Sequence, residues 1–95
     1  MKKQNRLQID KDTISGVMIT LQKKLDSKIE KRGMNSYASI HEIYGIIAEE
    51  FKEVMDEMHL NRYADFESEL IDVAVGALWG VMSMRTLREN EVYKY

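Results

Sequence analysis

From Leu70 to Met82 the chain is apolar around almost its whole helical circumference, and Asp72 is its lone ionisable side chain. A helix apolar along one stripe packs against a single neighbour, whereas one apolar nearly all round needs cover on every side. A chain of 95 residues has too little additional sequence to supply that cover, since small domains bury a low fraction of their surface. The stretch therefore predicts an obligate homo-oligomer, a homodimer or homotetramer, in which helices from two chains complete a four-helix core. It also marks Asp72 as a functional-site candidate. A carboxylate in such company carries a large desolvation cost unless a cation or hydrogen bond offsets it.

The rest of the chain reads as all-α, a three-helix chain. Proline is absent, and apolar residues recur at three- and four-residue spacing. Helix 1 is expected from Asp12 or Thr13 to about Lys31, with Ile14, Val17, Met18, Leu21, Leu25 and Ile29 on one side and Gly33 as its stop. Ser39-Ile40-His41-Glu42 forms a capping box that starts helix 2 at Ile40. Its apolar positions Ile40, Tyr44, Ile47, Phe51, Val54 and Met58 alternate by four and three, as in a buried seam. Residues 61–64 read as a connection, Asp65 as the cap of helix 3, and that helix continues to about Glu89. The expected organisation is a polar lead-in over 1–11, one helical domain over 12–90 and a short tail over 91–95.

Composition narrows the function classes. There is no cysteine, so disulfides and thiolate metal sites are excluded, and two histidines make a histidine-rich site unlikely on numbers alone. A net charge of -2 argues against a nucleic acid polymer as partner. The basic start, Met1-Lys2-Lys3-Gln4-Asn5-Arg6, is not followed by a signal-type apolar run. Glu69, Asp72 and Arg85 bracket or interrupt the most apolar window, so no membrane span is expected and the natural expectation is a cytoplasmic protein.

Two carboxylate pairs carry the chemistry: Glu50-x-x-Glu53 and Glu69-x-x-Asp72. At about 100° per residue, Glu50, Glu53 and Glu57 project together beside the apolar arc of helix 2, while Glu49, Lys52 and Asp56 project outward. In helix 3, Glu69, Asp72, Gly76, Gly80 and Ser83 share one narrow strip. Antiparallel packing of the two helices would bring four carboxylates together. An isolated pair of helical glutamates is ordinarily a solvated face; the apolar surroundings of helix 3 set this strip apart. Carboxylates at close range raise one another's pKa, and a divalent cation holds them ionised. An all-oxygen donor set favours Mg²⁺, with Mn²⁺ as the alternative. A diiron bundle would need Glu-x-x-His pairs, and His41 and His59 fall in neither spacing.

Ile46-Ile47-Ala48-Glu49-Glu50-Phe51-Lys52-Glu53-Val54, followed by Glu69-Leu70-Ile71-Asp72-Val73-Ala74, resembles the signature of the all-α NTP pyrophosphohydrolases. These are the MazG-like proteins, related to dimeric dUTPases and dCTP pyrophosphatases. Their pattern is Glu-Glu-x-x-Glu, a variable spacer, then Glu-x-x-Asp; here the spacer is Val54 to Ser68. The resemblance covers helices 2 and 3, and the order and length of helix 1 also fit.

What the resemblance implies is a Mg²⁺-dependent enzyme cleaving a (d)NTP between the α and β phosphates, giving a (d)NMP and pyrophosphate. Glu50, Glu53, Glu69 and Asp72 would be the metal ligands, and Glu49, in the first position of the pattern, a further ligand or a partner of one. Glu53, with Glu50, would position the attacking water. Lys52 stands where many relatives carry a small residue. Phosphate binding also needs cations, for which Lys24, Lys28 and Arg32 (with Lys23 and Lys31 nearby) and Arg85 (with Arg88) are candidates. Trp79 or Tyr37 would stack on a base, although a tryptophan on such a helix is more often core. Two other readings compete: a non-catalytic helical dimerisation or adaptor module whose acidic strip binds a basic partner, and a degenerate relative that binds nucleotide without cleaving it.

Overall fold

A computed structural model describes residues 5–95, which form three helices and no strand: α1 (Lys11–Arg32), α2 (Ile40–His59) and α3 (Tyr63–Glu89). Residues 1–4 of the basic start lie outside the described residues. α1 begins at Lys11, a residue or two earlier than the pattern suggests, because Asp10 rather than Asp12 caps it. The Asp10 carboxylate accepts the Thr13 N–H at 2.7 Å, and that bond holds its pKa below the usual range. The helix ends as expected at Gly33, whose φ of 73° lets its N–H turn back to the Ile29 carbonyl at 2.8 Å.

The α2 cap also forms, with a shift. Ser39 Oγ accepts the Glu42 N–H at 3.2 Å, while the Glu42 carboxylate takes the N–H of Ala38, at 3.1 Å, instead of that of Ser39. α3 departs from expectation at its start. Arg62, not Asp65, holds the cap position, and it makes no side-chain cap bond. Its guanidinium is instead gripped by Glu57 at 2.7 and 2.9 Å, with Asp65 3.7 Å away. This bidentate pair pins the α2–α3 turn, in which Asn61 takes a left-handed φ of 56°. The last residues are tied down as well. The carbonyls of Lys94 and Tyr95 accept the N–H groups of Ile40 and His41 at 3.2 and 2.7 Å, satisfying donors that a helix start leaves unpaired.

The α2–α3 pair is an antiparallel hairpin, and α1 packs against α3 without its main chain approaching α2. Val54, Val75 and Trp79 form the small core, with Gly76, Gly80 and Ser83 buried on the same face of α3. Gly80 lies tight against α2: a Cβ there would come within 2.9 Å of Ile43 Cγ2. Gly80→Val is therefore expected to lower stability by about 1–3 kcal/mol, the usual cost of overpacking, as read by urea unfolding. The segment between α1 and α2 is held to α3 by two bonds, Tyr37 N–H to Ser83 Oγ at 2.9 Å and Trp79 Nε1–H to the Asn35 carbonyl at 3.0 Å.

Much apolar surface is left over. The accessible area is 8358 Å², against about 5,700 Å² for a compact monomer of this mass. The radius of gyration is 16.5 Å, where about 12 Å is usual for this length. No residue of α1 is fully buried, and Ile14, Val17 and Met18 are exposed. Four of the six residues of the expected α2 seam (Ile40, Tyr44, Phe51 and Met58) also face outward, and Val54 alone of the six is buried. α2 turns the Ile43, Ile47 and Val54 edge of the expected arc, with Glu50 beside it, towards α3. Finally, α3 is long and apolar enough to cross a membrane by length and composition, which the sequence reading did not allow. The stretch over 70–87 meets that criterion with Asp72 and Arg85 still inside it, as core helices of soluble proteins also do.

Candidate metal centre

One turn of α2 and one turn of α3 face each other across the hairpin, and their acids meet there. Glu50, Glu69 and Asp72 each offer a carboxylate oxygen within 4.8 Å of the other two, and all three side chains are half-buried. Glu53, one turn after Glu50, stands outside this trio. It is exposed, yet near enough to raise the pKa of both Glu50 and Glu69. Three of the four expected ligands thus converge, and the fourth stands beside them.

The electrostatics favour a cation beside these acids. Glu69 Oε2 has lost its contact with solvent and has no hydrogen-bond partner. Burial raises the Glu69 carboxyl above the ordinary range, and the neighbouring Glu53, Asp72 and Glu50 push it the same way. Glu50 is also raised, by burial first and then by Asp72 and Glu53, with Lys28 pulling in the opposite direction. The nearest compensating charge is Lys24, whose Nζ lies 3.9 Å from Asp72 Oδ1, too long for a hydrogen bond and half-exposed to solvent. An orphaned buried oxygen amid an all-carboxylate donor set is what a hard divalent cation such as Mg²⁺ or Mn²⁺ satisfies.

Substitution separates this strain from simple packing. Glu69→Gln removes the charge that burial disfavours while keeping the shape, so the metal-free variant is expected to gain up to about 1 kcal/mol at neutral pH. Thermal melts in EDTA check this, and a loss of stability would contradict it.

Glu50, Glu53 and Asp72 open onto a cleft of about 450 Å³ that is also lined by cations. Lys24, Lys28, Lys31 and Arg32 of α1 line it, together with Ser27, Tyr37, Gly76 and the rim residue Glu49. Glu49 is exposed, as its projection implies, but borders the cleft rather than facing away from it. Lys28 is held by aromatic neighbours. Its Nζ donates to the Tyr37 hydroxyl at 2.7 Å and lies 5.2 Å and 4.9 Å from the ring centres of Tyr37 and Trp79. Trp79 itself is buried with its indole N–H already bonded, and it borders a separate apolar hollow with Ile29, Met34 and Met82. Lys23, Arg85 and Arg88 are exposed and do not line the cleft. Ser27 is the lining residue that sequence reasoning missed; the spacing of Lys24, Lys28 and Lys31 by four and three was the available signal for that face.

Gly76 plays a different part from Gly80. A Cβ at Gly76 would meet nothing within 4 Å, so its lack of a side chain leaves open space in the cleft wall beside Asp72 instead of permitting helix contact.

Comparison with protein-family models, curated proteins and solved structures finds no match. The reading of this site therefore rests on its own residues and on the motif resemblance described above.

Proposed function

We propose that the chain is a Mg²⁺-dependent nucleoside triphosphate pyrophosphohydrolase, cleaving a (d)NTP to a (d)NMP and pyrophosphate. One observation carries the reading: a single cleft sets half-buried carboxylates against a wall of four cations. A metal-bound triphosphate has that charge pattern, with some oxygens on the ion and the others needing Lys or Arg. An adaptor surface for a basic partner would instead present its acids to solvent, free of competing lysines.

Glu50, Glu69 and Asp72 would hold the ion, and Lys24, Lys28, Lys31 and Arg32 would bind the phosphate oxygens that the ion leaves free. Bound Mg²⁺ would neutralise phosphate charge and favour attack by water. Glu53, beside the trio but not in it, is placed to orient that water and accept its proton. The bond from the water oxygen to the α phosphorus forms as the α–β bridging bond breaks, and the electron pair departs on pyrophosphate. Gly76 and Tyr37 would border the bound nucleotide.

The test is pyrophosphate release from a panel of ribo- and deoxyribonucleoside triphosphates, with Mg²⁺, with Mn²⁺ and with EDTA. Turnover that needs the metal and yields a monophosphate is the expected result. No turnover on any member, together with no effect of Mg²⁺ on melting, would favour the adaptor reading.

A further inference from the structure

We infer that Tyr37 is a positioning residue of the cleft, whose hydroxyl fixes the Lys28 ammonium where it meets the oxygens of a polyphosphate. This role rests on the cleft being a site for metal-bound polyphosphate, as proposed above. Of the four lining cations, Lys24, Lys31 and Arg32 are exposed and Lys28 alone is half-buried. An ammonium carries donors only, so in the 2.7 Å bond Nζ gives one hydrogen to the Tyr37 hydroxyl and keeps two for other acceptors. The Trp79 ring centre lies 4.9 Å from the same Nζ, close enough for its π face to hold the charge. That charge reaches the acids as well, pulling the Glu50 carboxyl down against the effect of burial.

The groups that hold Lys28 are themselves fixed from α3. Ser83, with 2% of its surface exposed, takes the Tyr37 N–H on its Oγ at 2.9 Å. Trp79 is buried, and its indole N–H is bonded to the Asn35 carbonyl at 3.0 Å. Trp79 and Ser83 stand one turn apart, and Asn35 and Tyr37 lie in the connector between α1 and α2. One buried turn of α3 thus fixes the connector and, through Tyr37, a side chain of α1. A free lysine loses rotamer freedom when it engages a ligand, which weakens binding by roughly two- to tenfold. Lys28 has lost much of that freedom on folding. The role differs from base stacking because it uses the hydroxyl, which phenylalanine lacks.

Isothermal titration calorimetry of the full chain with inorganic tripolyphosphate and Mg²⁺ tests this without a base and without turnover. Tyr37→Phe keeps the ring and removes the hydroxyl. It is expected to weaken binding about three- to tenfold, with little change in melting. Lys28→Met keeps the stem and removes the charge, and should weaken binding about 10- to 100-fold. The double variant decides between mechanisms: adding Tyr37→Phe to Lys28→Met should cost nothing further, because Tyr37 acts through the ammonium. With nucleotides, Tyr37→Phe should raise KM more than it lowers kcat. A wild type that does not bind tripolyphosphate overturns the proposal. So does a Tyr37→Phe variant that binds as the wild type does, or a hydroxyl whose loss weakens Lys28→Met as much as the wild type. The last result would make Tyr37 a direct contact or a scaffold group. Coupled binding without turnover of any nucleotide would sink the hydrolase reading and support the positioning role. Turnover with unweakened Tyr37→Phe binding would do the reverse.

Discussion

Glu50→Gln and Asp72→Asn are each expected to lower pyrophosphate release by on the order of 10²–10³-fold, the usual loss when a charge-stabilising group is removed from a site. Both exchanges keep size and shape and remove one anionic oxygen donor from a trio whose members lie within 4.8 Å of one another. The loss should appear in turnover and in metal requirement, not in folding. Asp72 is half-exposed and pairs with Lys24 at 3.9 Å, a contact of little energetic weight. Glu50 is raised by burial, so neutralising it relieves strain. Circular dichroism melts alongside steady-state assays separate the two effects. Activity that survives both substitutions would sink the metal assignment, whereas equal loss of fold and activity would move these residues into the scaffold.

Mg²⁺ itself is expected to stabilise the fold strongly at neutral pH and hardly at all in acid. At a hundredfold excess over its dissociation constant a ligand contributes about 2.7 kcal/mol, which for a domain of this size is roughly 10–20 °C in melting temperature. The pH dependence follows from the raised carboxyls. Glu50 and Glu69 bind protons more readily in the folded chain than in the unfolded one. Their contribution to metal-free stability is therefore fully present below the unfolded carboxyl pKa and is lost as pH rises through the folded values. Mg²⁺ replaces those protons, so its effect should grow over the same interval in which the metal-free protein weakens. Melts at several pH values, with and without Mg²⁺, read both trends. A Mg²⁺ shift that stayed constant into acid would place the ion somewhere other than these carboxylates.

The helices and most of their ends were legible in the sequence because they depend on local chemistry. Gly33 and Ser39 act through neighbours three or four residues away, and both stand where they were expected. The start of α3 was not legible. Arg62 is drawn off by Glu57 five residues earlier, and no cap rule anticipates a cation gripped from the preceding helix. The α2 seam was misread for a related reason. Periodicity locates an apolar arc but does not say whether that arc meets the same chain, and here Val54 packs inward while Phe51 and Tyr44 do not. At the site, the convergence of Glu50, Glu69 and Asp72 followed from i, i+3 spacing on two antiparallel helices. That Glu53 stands beside the trio rather than in it did not, because helical projection fixes direction and not which of two acids one turn apart reaches the facing helix.

The two walls of the cleft belong to different parts of the chain. Every lining carboxylate is on α2 or α3, every lining cation is on α1, and the main chain of α1 approaches the hairpin at α3 alone. Under the proposed function, substitutions on α1 would retune affinity for the polyphosphate without removing a donor of the ion. They would act on those donors only through the charges of Lys24 beside Asp72 and Lys28 near Glu50. Changes in the hairpin acids would do the converse. Selection acting on such a chain meets two nearly separable dials. On that reading, substrate preference would drift along one helix while the chemistry stays fixed in the other two.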